Sequence, residues 1–347
     1  MSATVTEAID RSVADRTTQT RFAKVVRSLR WFVALVIWGL IAASLLLRFT
    51  VQDQYHRLAV LYYLTPLPTL PFLFFMAGCL WGAPVDVKPA RFQMTRRRLS
   101  LIASLVCALW VVRSEIVVRA APPGEAESTV VFWNTAHLGR SVDDLAEKLM
   151  SWQPAVIGLV EAEGYYPKTV AKWRKALPDY QIAPTHFGGL LAVKGTIVRQ
   201  MNHKLTPCSW CDQFDLIVGS DSFTLLLVDI SANLNLPRNQ PLRDLADLAR
   251  SLDDRPLIIM GDFNTPDDSP LLNPLRKTCQ QAFRERGSGY AATWPMPFPV
   301  LTLDQVWFNR QVNVSRCDAH WSVYSDHRPL VSSVSFLREP DARATAE

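Results

Sequence analysis

The chain has 347 residues, 49% of them hydrophobic, and a formal net charge of +5. That length accommodates one large domain or two modest ones. The hydrophobic share is high for a soluble enzyme and is concentrated in the first third. Much of the positive charge lies there too, so the net charge is no argument for nucleic-acid binding.

Three apolar stretches lead the chain, at roughly Leu29–Leu47, Leu58–Gly82 and Leu99–Val118. The first is about 20 residues long, enough to cross a ~30 Å hydrocarbon core. The second carries Pro66, Pro68 and Pro71 and reads as a kinked or broken span. Arg113 and Glu115 interrupt the third, with the charged end placed at the interface. Three such stretches in succession, separated by basic loops, point to three transmembrane helices over residues 29–119, not to core helices. The first starts too late for a signal peptide, and no small-residue cleavage site follows it. Arg21, Lys24, Arg27 and Arg30 precede the first stretch, and Lys88, Arg91 and Arg96 to Arg98 lie between the second and third. The positive-inside rule therefore puts a tail of residues 1–28 in the cytoplasm and everything after about residue 119 outside it, in a multi-pass cell-membrane protein.

A polar, proline-bearing linker is expected at 120–128, a mixed α/β domain at 129–337 and a disordered polar tail at 338–347. Within the domain TVVFWN reads as a buried strand and Val142–Met150 as an amphipathic helix capped by Ser141. AVIGLVE is the next strand and Val170–Leu177 the next helix. GGLLAV, FDLIVG and FTLLLVDI continue as strands, Pro241–Leu252 as a helix, then LIIMGDFN, LDQVWF and PLVSSVSF as strands. Several of these strands end on a polar or acidic residue: Asn134, Glu161, Asp229, Asp262 with Asn264, and Asp304. One such residue is ordinarily a turn or cap residue. In succession, and with Asp326 and His327 near the last strand, they suggest converging oxygen ligands suited to Mg²⁺ or Ca²⁺ rather than zinc. His137 is within three residues of Asn134 and is a candidate phosphate contact, although a solvated loop residue explains it equally well. Cys208-Ser-Trp-Cys211 reads as a disulfide, a redox pair or half a zinc site. With no second ligand pair and an oxidising compartment, the disulfide is favoured, with free thiols as the next reading.

In their order, WN at 133–134, LVE at 159–161, GDFNTPDDSP at 261–270, LDQV at 303–306 and SDHRPL at 325–330 resemble the motifs of the endonuclease/exonuclease/phosphatase superfamily. The leader resembles that of bacterial membrane-anchored members. The resemblance implies a four-layer α/β (α+β) sandwich of two packed mixed β-sheets flanked by helices. It implies Glu161, Asn134 and Asp326 as metal ligands, for Mg²⁺ or else Mn²⁺ or Ca²⁺. Asp262 would orient or deprotonate water, Asn264 would hold the phosphate or that water, and His327, fixed by Asp304, would contact phosphoryl oxygens. The chain departs from the pattern at Asp229, where the family usually has a histidine. Ser231 or Asn233 would then serve as the donor, or the site would be weakened.

The expected function is a membrane-anchored, divalent-metal-dependent phosphoesterase. Its substrate would be a nucleic acid or a phospholipid headgroup, its surroundings a lipid bilayer, and no obligate protein partner is implied. A non-catalytic member that binds a phosphorylated ligand or a protein is the alternative. A structural or transport protein is disfavoured, because the apolar stretches lack the intramembrane charges and repeats of a transporter.

Overall fold

The computed structural model describes residues 2–80, 91–117, 119, 128–206 and 208–336. Apart from Ser128, the expected linker lies outside the described residues, and so does the expected tail at 338–347. The chain divides into two compact units, one of residues 1–50 and 65–110 and the other of 51–64 and 111–347.

Four helices lead the chain: α1 (Ser2–Phe49), α2 (His56–Leu64), α3 (Thr69–Leu80) and α4 (Arg91–Glu115). Within the first unit Trp38 of α1 meets Phe74 of α3 edge to face at 6.0 Å. The Ser104 hydroxyl of α4 donates to the Pro71 carbonyl at 2.7 Å. Among the described residues one helix, Lys24–Phe49, is by itself long and apolar enough to cross a membrane. The expectation of three transmembrane helices is thus corrected to one. Helices α2 and α3 pass that test only as a joined pair bent by 63° at the break, which contains Pro66 and Pro68. The arginines of α4, at 91, 96, 97, 98 and 113, leave it too charged. Moreover, α2 belongs to the second unit, so the expected membrane region at 29–119 is interrupted by a segment of the other body.

Among the described residues the second unit carries fourteen strands. Strands β1 (Ile116–Val117) and β11 (Gly289–Tyr290) pair only with each other. One six-stranded sheet runs in the order β13 (Val312–Ala319), β14 (Leu330–Phe336), β2 (Ser128–Asn134), β3 (Val156–Val160), β5 (Leu190–Val193), β4 (Gln181–Pro184). The other runs β10 (Gln280–Gln281), β12 (Asp304–Phe308), β9 (Leu257–Asp262), β8 (Asp221–Asp229), β7 (Trp210–Val218), β6 (Thr196–Lys204). Both are mixed. Only the β2–β3 and β8–β9 pairs are parallel. Parallel neighbours need a crossover, and α5 (Val142–Met150) and α7 (Asn239–Ser251) provide it. Helix α6 (Pro167–Ala176) follows β3, and a single-turn helix, α8 (Ala282–Arg286), precedes β11.

Sequence alternation builds the layers. Along β9, Ile258 and Met260 enter a core they share with Phe132, Val160 and Val334 of the other sheet. Leu257 and Ile259 point the other way, onto Leu245 and Ala249 of α7. A third cluster joins Val131, Trp133 and Ile157 to Leu145 and Leu149 of α5 and Trp173 of α6. Strands buried on both faces read as unbroken apolar runs, which is why LIIM and TVVFW were legible. These three cores produce the expected helix–sheet–sheet–helix order.

Two helices start earlier than the sequence pattern suggests. Pro167 opens α6 at its first position, and Asn239 precedes the expected Pro241. Helix α5 matches its expected bounds, with Ser141 Oγ accepting from the Asp144 amide at 3.2 Å. Of the strands not expected, β4, β6 and β13 are sheet-edge strands, and β1, β10 and β11 are two-residue pieces. In β6, TIVRQMNHK, most side chains are exposed and the apolar pattern is correspondingly faint.

Candidate active site

Register brings the polar strand ends together. In the second sheet Asp262 of β9 pairs with Asp304 of β12 on one side and Asp229 of β8 on the other. In the first, Asn134 ends β2 beside Val160, and Glu161 follows with a positive φ of 52°. Gly261 is required where β8 and β9 approach, because a Cβ there would run into the Val228 carbonyl oxygen. The turn after β9 is held by the Asn264 amide, which donates to Asp262 Oδ1 at 2.8 Å. Asn264 itself adopts φ 45°, a left-handed conformation that Asn tolerates better than most residues.

The centre is a buried ion pair. His327 Nδ1 lies 2.8 Å from Asp304 Oδ2, and its Nε2 is 4.0 Å from Asp262 Oδ2 and from Asp326 Oδ1. Burial works against the imidazolium, but the charge and hydrogen bond of Asp304, with Asp262 and Asp326 nearby, raise the His327 pKa to about 10. With Nδ1–H directed to Asp304, Nε2–H is left facing the open site. Burial, reinforced by the Asp304 charge and opposed by His327, raises Asp262 to about 6.

Asn134, an expected metal ligand, makes three side-chain hydrogen bonds. Its Nδ2 donates to Glu161 Oε1 at 3.1 Å and to Asp262 Oδ2 at 3.0 Å, while its Oδ1 accepts from the Ala136 amide at 2.9 Å. Two carboxylate neighbours require the NH₂ group on that side, so Asn134 spaces Glu161 from Asp262. Asp326 is half exposed and accepts from Trp294 Nε1 at 3.1 Å. His137 lies 3.4 Å from Glu161 Oε2 and 2.9 Å from Glu163 Oε1, at the rim. Asn264 Nδ2 donates to the Ile230 carbonyl at 2.8 Å.

The expected stand-ins for the histidine separate. Ser231 and Asn233 are turn residues, their side-chain oxygens accepting from the amides of Asn233 and Asn235. Neither lines the cavity above Asp262, which takes Ala232 and Leu234 from that loop. Asp229 stays beside Asp262. Burial first, then the charges of Asp262 and Glu161, push its carboxyl well above the ordinary range. The expected disulfide is also corrected: both thiols are free, Cys208 in an exposed turn and Cys211 on β7 inside the core with Leu226 and Val228. Strand alternation turns Cys211 inward, away from the turn.

Sequence reasoning missed one side of the site. The cavity, of ≈ 490 Å³, is lined by Val60, Tyr63 and Leu64 of α2 and by Arg238, as well as by Glu161, Asp262, Asn264, Asp326 and His327. Hydropathy had assigned residues 60–64 to a membrane span. The Tyr62-Tyr63 pair and the prolines after it were the available signals that the span is broken.

A divalent cation fits the donor set. The carboxylates of Glu161, Asp229, Asp262, Asp304 and Asp326 lie around one imidazolium, and burial first, then carboxylate charge, raises Asp229 and Asp262. Asp262, Asp304 and His327 present ligand atoms within 4.8 Å of one another. His327 is bonded to Asp304 in that group, and carboxylate oxygens suit a hard ion better than an imidazole does.

The family model described as Endonuclease/Exonuclease/phosphatase family matches residues 131–327. No curated protein matches in sequence. Among solved structures, a mannosyl-6-phosphatase from Bacteroides thetaiotaomicron VPI-5482 is similar at a TM-score of 0.53 and 14% identity, over 60% of this chain and 100% of that one. The human Nocturnin catalytic domain with bound sulfate aligns at 0.50 and 18% identity, over 61% and 95%. D. rerio TDP2 with a single-strand DNA product aligns at 0.50 and 13%, over 61% and 100%. At these identities the likeness establishes the fold alone.

Proposed function

Given that the chain belongs to the endonuclease/exonuclease/phosphatase family, we propose that it is a divalent-metal-dependent phosphoesterase held at a membrane by α1. The observation that carries this reading is the His327–Asp304 pair facing Asp262, with Asn134 bridging Asp262 to Glu161. A phosphate ester resists attack because it is anionic, so the site must supply positive charge and a base. His327 donates Nε2–H to a phosphoryl oxygen, while Asp304 keeps the ring protonated and oriented. Asp262, ionised above about pH 6, accepts the proton of the water that attacks phosphorus as the ester P–O bond breaks. The Asn264 amide and the Asn134 side chain hold the two Asp262 oxygens in place. Mg²⁺, or Mn²⁺ or Ca²⁺, held by Glu161 and Asp262 with Asp326, would neutralise charge developing on phosphate.

The membrane-anchored assignment rests on α1 and on the basic residues Arg21, Lys24, Arg27 and Arg30 at its amino side. That asymmetry favours a cytoplasmic amino terminus and, for a single crossing, an extracytoplasmic catalytic unit. A compartment-sensitive reporter fused after Glu347 tests this, and a cytoplasmic signal overturns it. For the chemistry, the full chain should hydrolyse bis(p-nitrophenyl) phosphate with Mg²⁺ or Mn²⁺ and lose that activity in EDTA and in Asp262→Ala. Turnover that survives Asp262→Ala refutes the mechanism. Absence of turnover on phosphodiesters and phosphomonoesters alike favours a binding role, which the placement of Asp229 beside Asp262 would explain.

A further inference from the structure

We infer that the site acts on an amphiphilic phosphate ester, one whose phosphate carries an alkyl or acyl chain that lies along α2. The inference rests on the phosphoesterase reading and adds the substrate class. The cavity lining combines ionisable groups with a larger number of apolar side chains. The carboxylates and His327 form its floor, and Val60, Tyr63, Leu64, Leu234, Leu301 and Trp294 line its walls. Hydrocarbon in such walls suits a ligand with an apolar portion immediately beside the reacting phosphate.

The wall is built, not incidental. Asp53 is buried and accepts from Tyr63 Oη at 3.0 Å and from Ser269 Oγ at 2.8 Å. Tyr62 Oη donates to Asp268 Oδ2 at 2.8 Å, and the Arg238 guanidinium lies over the Tyr63 ring at 5.2 Å. These bonds tie residues 51–64 to the loop that follows β9 and to the start of α7. Leu64 remains 66% exposed, an apolar side chain at the cavity's edge. The same segment follows α1, the helix of membrane length, in the chain, with Val60 eleven positions after Phe49.

Nucleic acid fits less well. A single strand presents a phosphate at every step and is tracked by repeated cations and stacking rings. Among the cavity residues Arg238 is the one arginine or lysine, joined by the imidazoles of His137 and His327. Arg238 is itself buried, with Nη2 donating to the Ala232 carbonyl at 3.1 Å and Nε without a protein acceptor. This is charge for one phosphate group, next to hydrocarbon.

The test uses the full chain in lipid nanodiscs and a series of methyl, butyl and hexyl p-nitrophenyl phosphates, which share a leaving group. Full burial of a methylene is worth about fourfold, so partial burial should raise kcat/KM at least about 30-fold from methyl to hexyl. Leu64→Ser and Val60→Ser should each lower the hexyl-to-methyl ratio at least about fivefold, which cancels partitioning into the disc lipid. Leu64→Ser, at an exposed position, guards against misfolding as the cause. Butyl- and hexylphosphonate binding, followed by calorimetry, is the second readout. If no ester is hydrolysed but phosphonate affinity still rises with chain length and falls in Leu64→Ser, the apolar subsite stands and the hydrolase reading falls. A flat chain-length dependence in both readouts overturns the inference. So does a single-stranded oligonucleotide hydrolysed with higher kcat/KM than every alkyl ester.

Discussion

The floor and the wall of the cavity are held by different chemistry. The floor is a set of ionisable groups at strand ends, each locked by register: Asp304 and Asp229 flank Asp262, and Asn134 spans the gap between the sheets. The wall is a short helix and the turn before it, braced internally by the Tyr63–Asp53 hydrogen bond and attached through Tyr62 to Asp268, through Ser269 to Asp53 and through a cation–π contact with Arg238. A floor made by the sheets themselves can move only if the sheets move, which gives it the precision that proton transfer demands. A wall added by a helix can change composition without disturbing the strands beneath it. If the proposed function holds, chemistry and substrate choice would be carried by separable parts of the site.

The largest effect that would sharpen this contrast is expected on the floor. Asp262→Asn should lower kcat on bis(p-nitrophenyl) phosphate by ~10²–10⁴-fold. Its melting midpoint should not fall, because the substitution removes a buried charge that the folded state disfavours when ionised. A rate within threefold of wild type would break the assignment.

Next comes the cation. Ionised Asp262 and crowded Asp229 should make Mg²⁺ stabilising at pH 7, by about 2.7 kcal/mol at a hundredfold excess over its Kd. Glu161→Gln should remove most of that gain in a thermal unfolding titration. An undiminished gain would place the ion elsewhere.

Asp304→Asn should bring the His327 pKa down from about 10 toward 6.5, read from imidazole resonances in an NMR titration. The sign follows from linkage. A histidine whose folded pKa is raised stabilises the fold fully below pH 6.5 and loses that contribution as pH rises through 10. The wild-type melting midpoint should therefore decline between those values, and Asp304→Asn should flatten that decline. An unchanged histidine titration in the variant would show that Asp304 does not hold the proton.

The smallest effect is expected at the wall's attachment. Tyr62→Phe removes one hydrogen bond to Asp268 and should cost about 1 kcal/mol, lowering the melting midpoint by a few degrees. Bis(p-nitrophenyl) phosphate turnover should persist, since the floor is untouched. Loss of that turnover would show that the two parts are not separable.

The catalytic strings were legible because strands buried on both faces demand apolar runs, and a polar residue ending such a run stands out. Asp262 after LIIMG and Glu161 after VIGLV are of this kind. Asn134 was legible as a site residue but not as a bridge, because its partners are 27 and 128 residues away along the chain. The place of α2 beside the cavity was not legible, because hydropathy reports that apolar surface must be covered but not by what. Leu58, Leu61 and Leu64 score alike against lipid or against solvent.

From local periodicity and composition came the alternating strands and helices, the polar strand ends and an apolar helix of membrane length, while the two-sheet sandwich came from the resemblance of the ordered motifs to a family. Only the tertiary structure decided which oxygens of Asn134 and Asp262 face which partners, that Ser231 and Asn233 close a turn, that Cys211 is buried apart from Cys208, and that residues 51–64 wall the active site. Each of those depends on contacts between distant segments, where register and packing, not residue type, choose the neighbour.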